Sequence, residues 1–395
     1  MYKLEVSLKQ HTPLIHFQWS EEGATLRASE VKPKLDRFLI NKIGKRSIKQ
    51  QWTKEIKDKQ NSEKLSLDYK LWITEDENDK KIYYIPVTNL PKSYNNENNI
   101  KKDIADILES RKANIHLIKN TPYFANQEPL KNENLNETKL AVVNNGNIKV
   151  TILTKHVELY HYIKENIEEF FCVNNFGQRQ SKGFGTFYLK STTEDILEKA
   201  LEKNFQKFIK LSKSINSIED LFKKIDKDYK TIKNNPSGET LVKEYFSKKQ
   251  GISWEKEYIS KVVAQKGKKE SFEGQNIYFV RALLGLPTFF DYPQLKPKMK
   301  VEIKNADFER FSSPLTFKVF YRSNKHYQIY IAATENYKII INQKFKFKCE
   351  GREETLNTPE DFDIIDFMEF IEPILANRLL SYSADMPKFD NKPLY

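Results

Sequence analysis

Three of the chain's twelve glycines, Gly177, Gly183 and Gly185, fall within nine residues of the stretch NNFGQRQSKGFGTFYL (174–189). Twelve in 395 residues is about 3%, against roughly 7% in ordinary proteins. A glycine-poor chain that spends a quarter of its glycines on one loop needs close backbone approach or positive φ there. The pattern before the loop, KHVELYHYIKENIEEFF, reads as a helix, and GTFYLKS after it reads as a strand. This order constrains the fold. A P-loop runs strand, GxxxxGK[ST], helix, and GQRQSKGFG lacks that ending. A dinucleotide loop also leads from strand to helix. A kinase-type loop lies between two strands, and no kinase catalytic loop follows. Two readings stay open: a plain turn out of a helix, or a loop that grips single-stranded nucleic acid. For the second, Gln178, Arg179 and Lys182 supply phosphate donors, and Phe176 and Phe184 supply stacking faces.

Charge distribution sharpens the second reading. Net charge is +12, which invites a polyanionic partner. Residues 27–60 carry eleven Lys/Arg and four Asp/Glu, and residues 350–395 carry four and eleven, so one end is basic and the other acidic. Of only ten arginines, Arg27, Arg37 and Arg46 fall within twenty residues, and arginine is the better fork for phosphate.

The remaining pattern indicates an α+β chain of two domains, 1–190 and 191–395. YKLEVSL alternates as a strand. TLRASEVKPKLDRFLINKI becomes helical after Pro33, with Ser29 as cap. LWIT and KIYYIPV are short strands, NIKKDIADILESRK is a helix, and TKLAVV-NNGN-IKVTIL predicts a β-hairpin. Residues 192–265 read as mostly amphipathic helix. The C-terminal part returns to strands and closes with a helix over about 359–380, capped by Thr358. No signal-peptide core and no apolar run near the roughly 20 residues of a membrane span is visible, so a cytoplasmic protein without membrane contact is expected. Cys172 and Cys349 form no CxxC pair and are expected as buried thiols.

The segments SLKQHTPLIHFQ and TLRASEVKPKLDRFL, followed by GQRQSKGFG, resemble the RAMP superfamily of CRISPR-associated RNA-binding proteins. VRALLGLP and RFSSPLTFKVF resemble the two-domain RAMP subunit of the type III-B (Cmr) effector complex. The resemblance implies tandem ferredoxin-like (RRM-like) domains with helical insertions. Only one glycine-rich loop is present, so the second domain is expected to be degenerate. It also implies a non-catalytic subunit in antiviral defence that holds guide and target RNA near the 3′ end of the guide, beside other RAMP subunits. On this chain the helix-start motif falls on Arg27, Ser29, Lys32, Lys34 and Arg37. The loop motif falls on Gly177, Arg179, Gln180, Lys182, Gly183 and Gly185, with Phe184 as a stacking residue. Arg310 and Ser313 match the C-terminal motif and mark a second site or an interface.

The alternative is a metal-independent, guide-processing endoribonuclease, with His16 as its candidate acid or base. His11 and His16, five apart on an extended segment, face opposite sides and do not pair. His156 and His161 lie about 140° apart on a helix, so they do not chelate. No metal site and no cofactor is expected.

Overall fold

The computed structural model describes residues 1–17, 25–44, 47–56, 64–76, 80–86, 116–118, 138–234, 240–265, 269–292, 295, 297–308 and 311–377. The chain divides into two compact units. The first comprises Met1–Phe205 with two later segments, Asn216–Asp226 and Thr316–Ile329. The second comprises Gln206–Ile215, Lys227–Leu315 and Tyr330–Tyr395.

The first unit is built on β1 (Tyr2–Gln10), α1 (Ala28–Ile43), β2 (Thr53–Ile56), β3 (Lys64–Leu67), β4 (Tyr69–Glu75), β5 (Lys80–Pro86), β6 (His116–Leu117), β7 (Thr138–Asn144), β8 (Ile148–Thr154), α2 (Val157–Val173), β9 (Phe187–Leu189) and α3 (Glu194–Asn204). Its main sheet has the order β4-β8-β1-β9, with every neighbouring pair antiparallel. Taking β1, α1, β4, β8, α2 and β9 as a βαββαβ frame, this is the 4-1-3-2 strand order of a ferredoxin-like domain. The pleat explains the layering. Leu4, Leu8, Ile148, Val150 and Ile152 all turn to one face, where they pack with Leu35 and Leu39 of α1 and with Ile163 and Phe170 of α2.

The expected β7–β8 hairpin is not formed. β7 pairs with β5, whereas β8 pairs with β1 and β4. The strands on either side of Asn144–Gly146 instead run alongside residues 69–86 as one long interrupted ribbon. Asn144 holds the interruption: its Nδ2 donates to Glu75 Oε2 and to the Asp76 carbonyl, and its Oδ1 accepts from Gly146 N. The Asn-Gly signal therefore marks a break between two sheets. Helix α1 also begins earlier than expected, with Arg27 as N-cap and Pro33 inside the helix. Pro33 cannot donate to the Ser29 carbonyl, but both residues lie on the exposed stripe of α1, where solvent can serve it. The expected helix at 99–112 lies outside the described residues.

The second unit contains β10 (Lys207–Ile215), α5 (Leu241–Gln250), β11 (Ile252–Trp254), α6 (Glu255–Ile259), β12 (Asn276–Tyr278), a four-stranded sheet and α7 (Ile364–Asn377). Helix α4 (Ile218–Tyr229) and strands β15 (Leu315–Tyr321) and β16 (Tyr327–Ala333) run through residues of both units. The four-stranded sheet has the antiparallel order β13-β14-β17-β18, from Phe289–Tyr292, Met299–Lys304, Lys344–Cys349 and Arg352–Asn357. Its core is built on Phe279, edge-on to Phe290, Phe345 and Phe347, with Phe290 stacked on Phe347. A βαββαβ order is not found among the described residues of this unit. Two further expectations change here. Residues 207–215 are a strand, because Ile209 and Leu211 are buried around an exposed Lys210, a period of two. The last helix starts at Ile364, not at Pro359. Asp363 Oδ1 accepts from Ile365 N and Asp366 N, while Thr358 is buried and bonded to Ile340 and Gln343. Cys172 and Cys349 are both buried and unpaired. No helix among the described residues is long and apolar enough to cross a membrane.

Candidate nucleic-acid interface

The glycine loop is an internal joint of the first unit. Gly177 (φ +75°) sits against segment 11–16: a Cβ there would meet the Ile15 carbonyl and Leu14 Cδ1, each at 2.5 Å. Gly185 (φ +65°) is tighter, with the Phe176 carbonyl 1.9 Å from where its Cβ would stand. These approaches let backbone meet backbone. Gly185 N donates to the Pro13 carbonyl at 2.9 Å, Gln178 N to the Ile15 carbonyl at 2.8 Å and Phe176 N to the Gly185 carbonyl at 2.8 Å. The loop thus closes on the TPL segment, and all three of its glycines are buried.

The start of α1 is fastened to the same loop. Glu30 Oε1 accepts from Gly177 N at 2.6 Å. Lys34 Nζ donates to the Asn175 carbonyl and to Gln180 Oε1, both at 2.8 Å, and to Glu30 Oε1 at 3.2 Å. It also lies 4.8 Å above the Phe176 ring. An ammonium has three donors, and all three are used inside the protein. Burial pulls the Lys34 pKa below its ordinary value. Lys32 is committed in the same way, to Asp36, Ser66 Oγ and the Leu67 carbonyl. Gln180 completes the joint by donating to the Gly177 carbonyl at 2.6 Å.

Two expected RNA contacts are corrected. Phe184 is fully buried and stacks on Phe222 with ring centroids 3.9 Å apart, so neither face is open to a base. Arg179 takes φ +58°, which turns its side chain inward. Its guanidinium lies 5.9 Å from the Phe184 centroid and faces Asp226. Burial pulls its pKa down and the Asp226 carboxylate pulls it back up. Phe176 is likewise fully buried.

A lysine that sequence reasoning missed holds the other side of the loop. Lys318 is fully buried and donates to Asn175 Oδ1 at 2.6 Å and to the Asn174 carbonyl at 2.9 Å. Burial drives its pKa down to about 7. Its signal was its place in LTFKVFY, one charge in an apolar strand.

The outward-facing candidates are therefore fewer. Ser29 and Arg37 are exposed on α1, and Arg27 and Lys182 are half-buried. Arg46 and Arg310 lie outside the described residues. Ser313 is half-buried, and its Oγ accepts from Leu315 N. Segments 280–287 and 311–315 do meet in the second unit, where Leu286 N donates to the Phe311 carbonyl. His16 is buried, with its carbonyl accepting from Gln178 Nε2 at 3.4 Å. His11 is buried too, its Nδ1 accepting from Tyr321 N at 2.7 Å, and burial lowers its pKa to about 3. The ring is neutral at physiological pH.

The model of the Cmr1 N-terminal domain matches residues 1–235, and that of the Cmr1 C-terminal domain matches residues 239–384. No curated protein matches. Among solved structures, the chain is similar to the crystal structure of Cmr1 from Pyrococcus furiosus in its apo form. Identity is 12%, the TM-score is 0.34, and 95% of this chain and 97% of that one are covered. With both domain models matched along nearly the whole length, the chain belongs to the Cmr1 family, the family of a type III-B CRISPR effector subunit.

Proposed function

We propose that this chain is a non-catalytic RNA-holding subunit of a type III-B CRISPR ribonucleoprotein, positioning guide and target RNA near the 3′ end of the guide in antiviral defence. The supporting observation is the joint between α1 and the glycine loop. Its part-buried bonds tie the first turns of α1 to the loop, and Ser29 and Arg37 stand on the exposed stripe of that helix. A rigid helix start that presents arginine positions a phosphate backbone without reading sequence. The glycine loop acts mainly through α1: of its two cationic side chains, Arg179 is turned into the protein and Lys182 is half-buried.

The test is photocrosslinking within the assembled effector. The chain is co-expressed with the other subunits and a guide, irradiated, and its nucleotide adducts are mapped by mass spectrometry. Adducts on 27–41 support the reading. Adducts confined to other parts of the chain, or none at all, overturn it. The nuclease alternative rests on His16, and purified protein that cleaves repeat RNA without metal, and loses that cleavage in His16→Ala, would establish it instead.

A further inference from the structure

The main sheet of the first unit has a second face, turned away from α1 and α2. Alternation along β4 sends Leu71 and Ile73 toward the helices with Ile152 and Val150, their cross-strand partners. Lys70 and Trp72 therefore point the other way. Trp72 is opposite Thr151, and Lys70 is opposite Leu153. Next on β1, Glu5 is opposite Thr151 and Lys3 is opposite Leu153.

Trp72 keeps 38% of its surface exposed, whereas Trp52 of the same unit is buried at 6%. Its strand neighbour across the ladder is Thr151, which is buried. The charge around it has one sign in excess. Among the described residues of this face, Lys3, Lys70 and Lys149 stand with one carboxylate, Glu5, which pairs with Lys3 at 2.9 Å and Lys149 at 3.9 Å. An exposed indole rimmed by lysines suits a ligand that offers flat rings and phosphates together. Base–aromatic stacking on a positively charged sheet face is the physics of sequence-tolerant single-strand binding. An acidic peptide would use the lysines but leave the indole idle.

We propose that the β4 end of this sheet face, centred on Trp72 with Lys70, Lys149 and Lys3, is a stacking platform for single-stranded nucleic acid. It is distinct from the α1 edge, which lies on the opposite face of the sheet, and it does not rest on the α1 reading.

The experiment uses the full chain with labelled twelve-residue oligo(U) and oligo(dT), read by anisotropy and by tryptophan fluorescence. Binding should quench the emission. Trp72→Ala should weaken affinity about tenfold. Trp72→Phe should keep affinity within about twofold while losing the quenching. Lys70→Glu should also weaken binding, and it decides the matter if Trp72→Ala does not fold. Stronger effects with oligo(U) identify RNA as the ligand, and equal effects identify any single strand. Wild-type affinity in both Trp72→Ala and Lys70→Glu overturns the platform. Loss in Trp72→Ala with wild-type behaviour in Arg27→Ala/Arg37→Ala would leave the platform standing and count against the α1 reading; the reverse result would do the opposite.

Discussion

Glu30 and Gly177, 147 residues apart in sequence, are joined by a hydrogen bond of 2.6 Å from the glycine N–H to the carboxylate. The bond ties the first turn of α1 to the glycine loop, and Lys34 reinforces it from the next turn. A charge-assisted bond of this kind contributes about 1.5–3 kcal/mol. Glu30→Ala should destabilise the chain by roughly that amount in urea unfolding, because it also strips Lys34 of a partner. Glu30→Gln keeps an acceptor and should cost less.

Gly185→Ala should be far worse than a similar change at Gly44. Both glycines have positive φ, but a Cβ at Gly44 meets nothing within 4 Å. Gly44→Ala should cost about 1–3 kcal/mol from backbone strain alone. At Gly185 the Phe176 carbonyl stands 1.9 Å from the new atom, so soluble yield or unfolding midpoint should collapse.

Phe184→Ala should cost about 3–5 kcal/mol, the usual loss for a fully buried phenylalanine. Arg179→Ala should also destabilise, since it leaves the buried Asp226 without the charge it faces. Arg37→Ala, at an exposed helix position, should stay within about 0.5 kcal/mol of wild type. Thermal melts of the three variants separate residues that build the joint from one that faces outward.

Much of the joint was legible from local pattern. The helix-before, strand-after order around GQRQSKGFG and the short segment at TPLIHF both follow from a few neighbouring residues. Side-chain direction was not legible. Arg179 turns inward because of one positive φ and a carboxylate 47 residues on, and Phe184 is covered by Phe222. The β7–β8 hairpin failed for the same reason. Asn-Gly is a strong local turn signal, but the pairing of residues 138–154 with 69–86 is decided by long-range register. Lys318 carries no local mark of its burial beyond being one charge in an apolar strand, and it is wholly buried.

Stability should depend on pH through Lys318. Its folded pKa is lowered from the ordinary 10.5 to about 7 by burial. Between those values the unfolded chain holds more protons than the folded one, so stability rises with pH across that window. Below about pH 7 both states are protonated and this contribution is flat. Urea midpoints from pH 6 to 10 should therefore climb less steeply in Lys318→Met than in wild type, whatever the variant's overall stability.

The most direct test is the salt dependence of binding to a labelled single-stranded RNA, wild type against Arg27→Ala/Arg37→Ala. Each phosphate contact adds about 0.7 to the slope of log K against log salt for a single strand. If α1 holds the RNA backbone, the double variant should bind more weakly and its slope should be shallower by about 0.7–1.4, with an unchanged urea midpoint. Equal affinity and equal slope in a folded double variant would contradict the account.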